Sequence, residues 1–85
     1  MASALFSERY AAVVEELAAS RRAAGVTQAE LAARLERPQS FVSKIERQER
    51  RIDPVEFYDW ASALGISPTA LFEAVISRMR APRPD

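Results

Sequence analysis

The apolar residues of this chain recur at intervals of three and four, the spacing that places side chains on one face of an α-helix. A first helix is predicted between Ser7, which can cap its start, and Gly25, which can end it in a left-handed conformation. The face of this helix is formed by Tyr10, Val13, Val14, Leu17, Ala18 and Arg21. No stretch alternates apolar and polar residues as a strand would, so the pattern predicts an all-α fold.

Capping residues and a proline define the next two helices. Thr27 and Glu30 form a capping box, in which each side chain can bond a free backbone N–H of the first turn. The second helix then runs to about Leu35, and Pro38 fits the first position of a third helix. The residues predicted to point inward are Leu31, Ala32 and Leu35 in the second helix and Val42 and Ile45 in the third.

Two more helices follow by the same signals. Asp53 and Glu56 form another capping box around Pro54, and Gly65 can close this fourth helix. Its apolar stripe is Phe57, Trp60, Ala61 and Leu64, with Trp60 expected in the core. A fifth helix opens at Ser67 and Pro68. We therefore predict one compact five-helix domain over residues 7–80, an N-terminal arm over 1–6 and a flexible tail, APRPD, over 81–85.

The composition argues against several classes of function. The 85 residues include no Cys and no His, which removes disulfides, thiolate metal sites and the commonest general base and metal ligand. We expect no catalytic residue, no metal and no cofactor, and hence no enzyme. The sequence shows no secretory signal and no apolar run long enough for a membrane span, so the cytoplasm is the expected location.

The charge of the chain is unevenly distributed although its formal net charge is zero. Residues 20–51 carry eight basic and four acidic side chains, a net charge of +4, and each flank carries −2. A basic middle can attract phosphates locally, but a solvated face of mixed ion pairs explains the same counts.

The third helix carries the most informative side chains. Its link to the second helix is three residues, 36–38, so the two must cross steeply, and Val42 and Ile45 fix one side of the third helix. The outward side carries Gln39, Ser40, Ser43 and Lys44. Amides and hydroxyls donate and accept hydrogen bonds at base edges, and Lys suits guanine or phosphate. This is the pattern of a recognition helix, although ordinary surface residues could look the same.

Several short segments, in this order and spacing, closely resemble the Cro/repressor-type helix-turn-helix family, which includes the xenobiotic-response-element-like (XRE) regulators. These segments are GVTQ at 25–28, ELA at 30–32, QS at 39–40, VSKIER at 42–47 and ALGI at 63–66. The resemblance covers roughly residues 9–72. It implies a five-helix DNA-binding domain, the lambda-repressor-like type, that usually dimerises.

The resemblance also implies roles for individual residues. Gln28 matches a glutamine that touches a phosphate and braces the first glutamine of the recognition helix, here Gln39. Ser40 and Lys44 match positions that usually face bases, and Ser43 lies between bases and backbone. The expected base contacts are therefore Gln39, Ser40, Ser43 and Lys44, and the expected phosphate contacts are Gln28, Arg37, Arg50 and Arg51.

Two positions depart from the family pattern. Glu36 and Gln48 stand where the family commonly has glycine after the second and third helices. If either residue keeps left-handed geometry, it costs about 1 kcal/mol. A carboxylate at Glu36 would also weaken non-specific binding to DNA.

Some residues allow more than one interpretation. Phe41 could pack on the second helix or meet a thymine methyl group, and we expect partial packing. Arg21 and Arg22 can complement the dipole of the first helix as well as bind phosphate. Arg50 and Arg51 have weaker structural explanations, which favours phosphate.

The fifth helix carries an apolar stripe that is broad for so small a core. Part of it can cover the first helix and part can form a dimer interface, for which the candidates are Leu71, Phe72, Val75, Ile76 and Met79. The leading hypothesis is a sequence-specific transcriptional regulator, a repressor that binds double-stranded DNA at an inverted-repeat operator as a homodimer. The alternative is an antitoxin-like or regulatory module that binds a toxin or another protein and has weak affinity for DNA.

Overall fold

The computed structural model describes residues 7–81, which fold into five helices and no strand. The helices are α1 (Glu8–Ala23), α2 (Gln28–Arg34), α3 (Gln39–Glu46), α4 (Pro54–Ala63) and α5 (Pro68–Arg80). The all-α prediction is therefore confirmed for this part of the chain. The predicted arm over 1–6 and residues 82–85 of the predicted tail lie outside the described residues.

The helices begin where the capping residues predict. The Ser7 hydroxyl accepts from the Tyr10 N–H at 3.1 Å. Both capping boxes form: Thr27 and Glu30 exchange bonds of 3.0 and 2.8 Å, and Asp53 and Glu56 exchange bonds of 2.7 and 3.0 Å. The prediction for α3 was wrong by one residue.

That difference arises from backbone geometry. Pro38 has ψ 153°, which is extended, so it is the N-cap and Gln39 is the first helical residue. The fixed φ of proline, here −62°, suits either position, and the sequence therefore could not separate them.

The first four helices end in the same way, with one residue in the left-handed region. These residues are Gly25 (φ 71°), Glu36 (56°), Gln48 (62°) and Gly65 (73°). After α2, for example, the Glu36 N–H bonds the Ala33 carbonyl and the Arg37 N–H bonds the Ala32 carbonyl, which is the Schellman arrangement. A β-carbon at Gly25 or Gly65 would meet nothing within 4 Å, so glycine is favoured there by backbone conformation and not by space.

The core forms where all five helices meet. Trp60 is fully buried, as predicted, and its indole N–H donates to the Leu17 carbonyl at 3.3 Å. Val42 and Ile45 are also fully buried, which fixes one side of α3. α5 packs along α1, where Arg78 donates to Glu16 at 2.6 Å.

A buried ion pair joins the ends of three helices. Arg21, near the end of α1, forms two hydrogen bonds of 2.6 and 2.9 Å with the Glu46 carboxylate at the end of α3. The side chains of the pair are only 10% and 6% exposed. Gln28, the first residue of α2, donates to the same carboxylate at 2.9 Å, and Arg21 also donates to the Val26 carbonyl at 2.8 Å. The corner between α2 and α3 is therefore anchored to α1.

Glu46 is held in its charged form despite its burial. Burial raises the pKa of Glu46, but hydrogen bonds from Arg21 and Gln28 and the charge of Arg21 outweigh it, so the pKa lies below its ordinary value. The hydrogen bonds to Glu46 raise the pKa of Arg21. Both shifts indicate a pair that stabilises the folded protein only while it is ionised.

We expect Glu46→Gln to lower the free energy of unfolding by about 3 kcal/mol at neutral pH, because Arg21 would lose its balancing charge. The pKa of Glu46 is depressed in the folded protein. Its contribution is therefore complete above the unfolded carboxyl pKa of about 4.3 and is lost as pH falls through the lower folded value. Urea unfolding followed by circular dichroism, at neutral and at acid pH, measures both effects.

The matched control is Glu49→Gln. Glu49 pairs with Arg47 at 2.8 Å, but both side chains are more than half exposed, so water screens the pair and little stability is lost. Equal stability of the Glu46→Gln and Glu49→Gln proteins at neutral pH would contradict the prediction.

We expect Glu36→Gly to raise the free energy of unfolding by about 0.5–1 kcal/mol, because glycine adopts this φ without a clash of the β-carbon. Thermal unfolding of the purified variant measures the gain. Glu36→Ala is the control, since it removes the carboxylate and keeps the β-carbon. An equal gain in the alanine variant would mean that the charge of Glu36, and not its backbone strain, destabilises the wild-type protein.

Candidate nucleic-acid interface

The outward face of α3 brings the four predicted base contacts together. Gln39, Ser40 and Lys44 are exposed and Ser43 is half-buried. The only hydrogen bond that these side chains form within the described residues is from the Ser43 hydroxyl to the Ser40 carbonyl, at 3.4 Å. The face thus consists of polar groups that remain available to a ligand, on a helix whose other side is fixed in the core.

The predicted phosphate contact Gln28 has a different partner from the expected one. Its amide nitrogen donates to Glu46, so it does not brace Gln39. The reason is the buried carboxylate, which needs a further donor besides Arg21. The second N–H of the Gln28 amide is still available for a phosphate at the start of α2.

Arg37 and Arg50 meet on Phe41. Their guanidinium carbons lie 4.4 and 4.8 Å from the centre of the Phe41 ring, within the range of a cation–π interaction. Phe41 itself is 7% exposed, so it packs more completely than predicted. A residue from the turn before α3 and a residue from the loop after α3 are thereby brought to the same place beside this helix.

Glu56 joins the two arginines. Arg50 donates to both carboxylate oxygens, at 2.8 and 2.9 Å, and Arg37 approaches one of them at 3.5 Å. The hydrogen bonds from Arg50 are the main reason that the pKa of Glu56 lies below its ordinary value, and they raise the pKa of Arg50. Arg50 thus has the structural partner that the sequence did not indicate.

Arg51 lies apart from this group. Its guanidinium carbon is 4.5 Å from the centre of the Tyr10 ring of α1. The Tyr10 hydroxyl accepts from the Ile52 N–H at 3.2 Å and donates to the Arg50 carbonyl at 3.3 Å, which fixes the loop between α3 and α4. Arg50 and Arg51, although adjacent in the sequence, therefore lie on different parts of the surface, one beside Phe41 and the other beside Tyr10.

The predicted dimer residues separate into two groups. Leu71 and Val75 are 4% and 0% exposed, so they belong to the core of the single chain. α5 therefore packs one side of its stripe within the single chain, along α1, and the dimer interface stays a prediction. Phe72 is 49% exposed, and Ile76 and Met79 are half-buried.

Phe72 borders an open, mainly apolar groove of about 630 Å³. The groove lies between α1, the loop before α4, α4 itself and the start of α5, and the Phe57 and Phe72 rings meet edge to face at 5.8 Å. Tyr58, on its wall, is 60% exposed. Arg51, Asp53 and Glu73 place charges of both signs around it.

Two other kinds of site are not found in residues 7–81. This part of the chain holds no cluster of three or more acidic side chains arranged to bind a metal ion. None of its helices combines the length and the apolar character that a membrane span requires.

The sequence matches the model of the helix-turn-helix family over residues 17–71, from the middle of α1 to the start of α5. The chain belongs to the XRE-type helix-turn-helix family. It is accordingly a DNA-binding regulator and not an enzyme. The family resemblance predicted from GVTQ and the other short segments is thus confirmed.

Solved structures give the same result. An XRE-family like protein from Pseudomonas syringae pv. tomato str. DC3000 is 52% identical, with a TM-score of 0.76 over 81% of this chain and 84% of that chain. The wild-type restriction-modification controller protein C.Esp1396I is 23% identical, with a TM-score of 0.83 over 91% of this chain and 99% of that chain. At this identity the second likeness shows the fold alone. No curated protein matches the chain.

Within this helix-turn-helix domain, Glu56 is the residue beside α3 whose contacts with arginines the sequence did not indicate. The sequence identifies Glu56 as a capping residue of α4, and that role requires no contact with an arginine. Only its contact with Arg50, six residues earlier in the chain, reveals the second role. The sequence offered no signal for this contact beyond the short separation of the two residues along the chain.

Proposed function

We propose that the protein is a sequence-specific transcriptional regulator that binds an inverted-repeat operator as a homodimer and represses the promoter that it occupies. The observation that carries the proposal is the outward Gln39, Ser40, Ser43 and Lys44 face of the rigid helix α3. A DNA target also fits a location in the cytoplasm.

The chemistry of this face suits the major groove. An α-helix fits there, and its side chains can reach base edges. The Gln39 amide can form two hydrogen bonds with adenine, the serine hydroxyls can donate or accept, and Lys44 can donate to guanine or to a phosphate. Because the burial of Val42 and Ile45 already fixes α3, this helix need not be ordered when DNA binds, and the entropic cost of binding is lower.

The flanking residues suit the DNA backbone. Gln28 lies at the start of α2, and Arg37 and Arg50 lie beside the first turn of α3. Contacts to phosphate fix orientation and register, and base contacts then specify sequence. We assign Gln28, Arg37 and Arg50 to this role, with Arg51 at the margin near α1.

The apolar groove suits a second copy of the chain. A two-fold interface brings the same patch of both subunits together, so that patch must carry complementary charges. The groove does so, since Arg51 lies on the same rim as Asp53 and Glu73. We propose that Phe72, Ile76 and Met79 of the predicted interface are joined there by Phe57 and Tyr58. Two recognition helices would then read half-sites about 34 Å apart.

The experiment that tests the proposal is selection of the purified protein against a pool of random DNA duplexes, read by sequencing. Enrichment of an inverted repeat with half-sites about one helical turn apart is the expected result. No enrichment by protein shown to be folded would overturn it. That outcome would favour the alternative, in which α3 contacts a toxin or another regulatory protein, a possibility supported by Glu36 beside the recognition helix and by the zero net charge.

Base and phosphate contacts should respond differently to mutation. We expect Gln39→Ala to relax preference at one or two base pairs of each half-site, with a loss of about 1–3 kcal/mol there, because bidentate readout of adenine is lost. We expect Arg37→Ala to weaken binding to all sequences alike and to reduce the salt slope by about 1. Binding isotherms on the selected site and on single-base variants, at several salt concentrations, separate the two. An equal loss on every sequence for both variants would contradict the assignment.

The groove makes a prediction about assembly. We expect Phe72→Glu to convert the dimer to a monomer in sedimentation equilibrium, because a carboxylate would be buried against the partner. Val55→Glu is the matched control, since Val55 is 68% exposed and does not line the groove. Dimerisation of the Phe72→Glu protein as strong as that of the Val55→Glu protein would place the interface elsewhere.

A further inference from the structure

The Arg50 guanidinium is bound by Glu56 along one edge and lies against Phe41 with one face. Its second edge has no acceptor within the described residues. An arginine side chain has five N–H donors in a planar fork. In Arg50 the Nη1 atom donates to the Arg51 carbonyl and to Glu56, and Nη2 donates to the other Glu56 oxygen. One face of the guanidinium lies against Phe41. Within the described residues, Nε and the second N–H of Nη2 have no acceptor, and these two donors form the edge that binds a phosphate in a bidentate manner.

Arg37 shares two contacts with Arg50. Both arginines contact the same Phe41 ring and the same Glu56 oxygen, Oε2, at 3.5 and 2.9 Å. Arg37 uses only one nitrogen in this contact, and its side chain is 45% exposed. The pair therefore leaves several donors uncommitted beside the first turn of α3.

Glu56 is what allows two positive charges to stay so close. Without a carboxylate between them, the guanidinium groups would repel each other and sample many rotamers. Glu56 is 8% exposed and is itself fixed by the Asp53 N–H at 3.0 Å, so it cannot swing away with the arginines. The cluster of Arg37, Arg50 and Glu56 keeps a net positive charge.

We propose that Glu56 is a positioning residue for DNA binding, which holds Arg50 and Arg37 as a preformed clamp for one backbone phosphate beside the recognition helix. The inference rests on the proposed function, since it requires that α3 meets DNA. It assigns a favourable role to an acidic residue close to the nucleic acid. Charge alone predicts the opposite, because a carboxylate near DNA repels phosphate.

The test compares two variants that remove one negative charge each from α4. Glu56→Gln breaks the ion pairs but keeps an oxygen that can accept the Asp53 N–H, so the capping box is retained. Asp59→Asn is the matched control: Asp59 is exposed, lies one turn further along α4 and forms no ion pair within residues 7–81. A labelled duplex of arbitrary sequence serves as the probe, since a phosphate clamp does not read bases.

We expect Glu56→Gln to bind this duplex about five- to tenfold more weakly than Asp59→Asn at the same salt concentration, since both arginines must then be ordered on binding. We also expect its salt slope to be shallower by about 1, because one phosphate contact is lost. In an Arg50→Ala background, Glu56→Gln should lose most of this effect. A residue that merely stabilised the fold would not show that dependence on Arg50. Circular dichroism confirms that each variant is folded.

A second pair of variants covers the case in which Glu56→Gln does not fold. Arg50→Lys keeps the charge but has no fork, whereas Arg47→Lys makes the same change at an exposed arginine paired with Glu49. Binding of Arg50→Lys weaker than that of Arg47→Lys supports the clamp.

Failure of the clamp and failure of the proposed function give different results. Glu56→Gln that binds as tightly as Asp59→Asn or more tightly, or Arg50→Lys equal to Arg47→Lys, would overturn the clamp, while binding of the duplex by the wild-type protein would leave the proposed function standing. No binding of any duplex by the wild-type protein would overturn both.

Discussion

The buried contact of Arg21 and Gln28 with Glu46 determines how this domain presents its recognition helix. The three residues belong to α1, α2 and α3, and they meet where all three helices have an end. Burial of a carboxylate is unfavourable unless its oxygens are paired and hydrogen-bonded, and here both are. An ion pair of this kind contributes less to stability than apolar packing does, but it accepts only one relative placement of its partners. The angle at which α3 leaves the corner is thus fixed by geometry as well as by the core.

Backbone strain is stored at both ends of the same helix. Glu36 precedes α3 and Gln48 follows it, and both residues are left-handed although neither is glycine. Each costs about 1 kcal/mol, and the complete burial of Val42 and Ile45 between them contributes roughly 1.5–3 kcal/mol per side chain. The packing of α3 therefore outweighs the strain at its ends, which explains why the turns keep the family geometry without the family glycines.

Three acidic residues in and after the basic segment act as internal ligands of arginines. Glu46 binds Arg21, Glu49 binds Arg47, and Glu56, from the following helix, binds Arg50 and Arg37. A count of charges treats these groups as cancelling each other. In the folded protein they fix the direction of the guanidinium groups, and the donors that remain open are those that a phosphate could reach. A neutral chain can in this way carry an ordered basic surface.

Local signals in the sequence determined the elements of this protein. Capping residues such as Thr27 and Asp53 and the glycines at 25 and 65 fixed where the helices begin and end, because these effects involve only neighbouring residues. The 3.6-residue period identified Val42, Ile45 and Trp60 as core and left the Gln39 and Lys44 side of α3 outward. Only the tertiary structure decided which side chains pair across the chain: Gln28 with Glu46, Arg50 with Glu56, and Leu71 and Val75 with the core of the single chain. Such pairings depend on which helices meet and at what distance, and the spacing along a single helix carries no information about that.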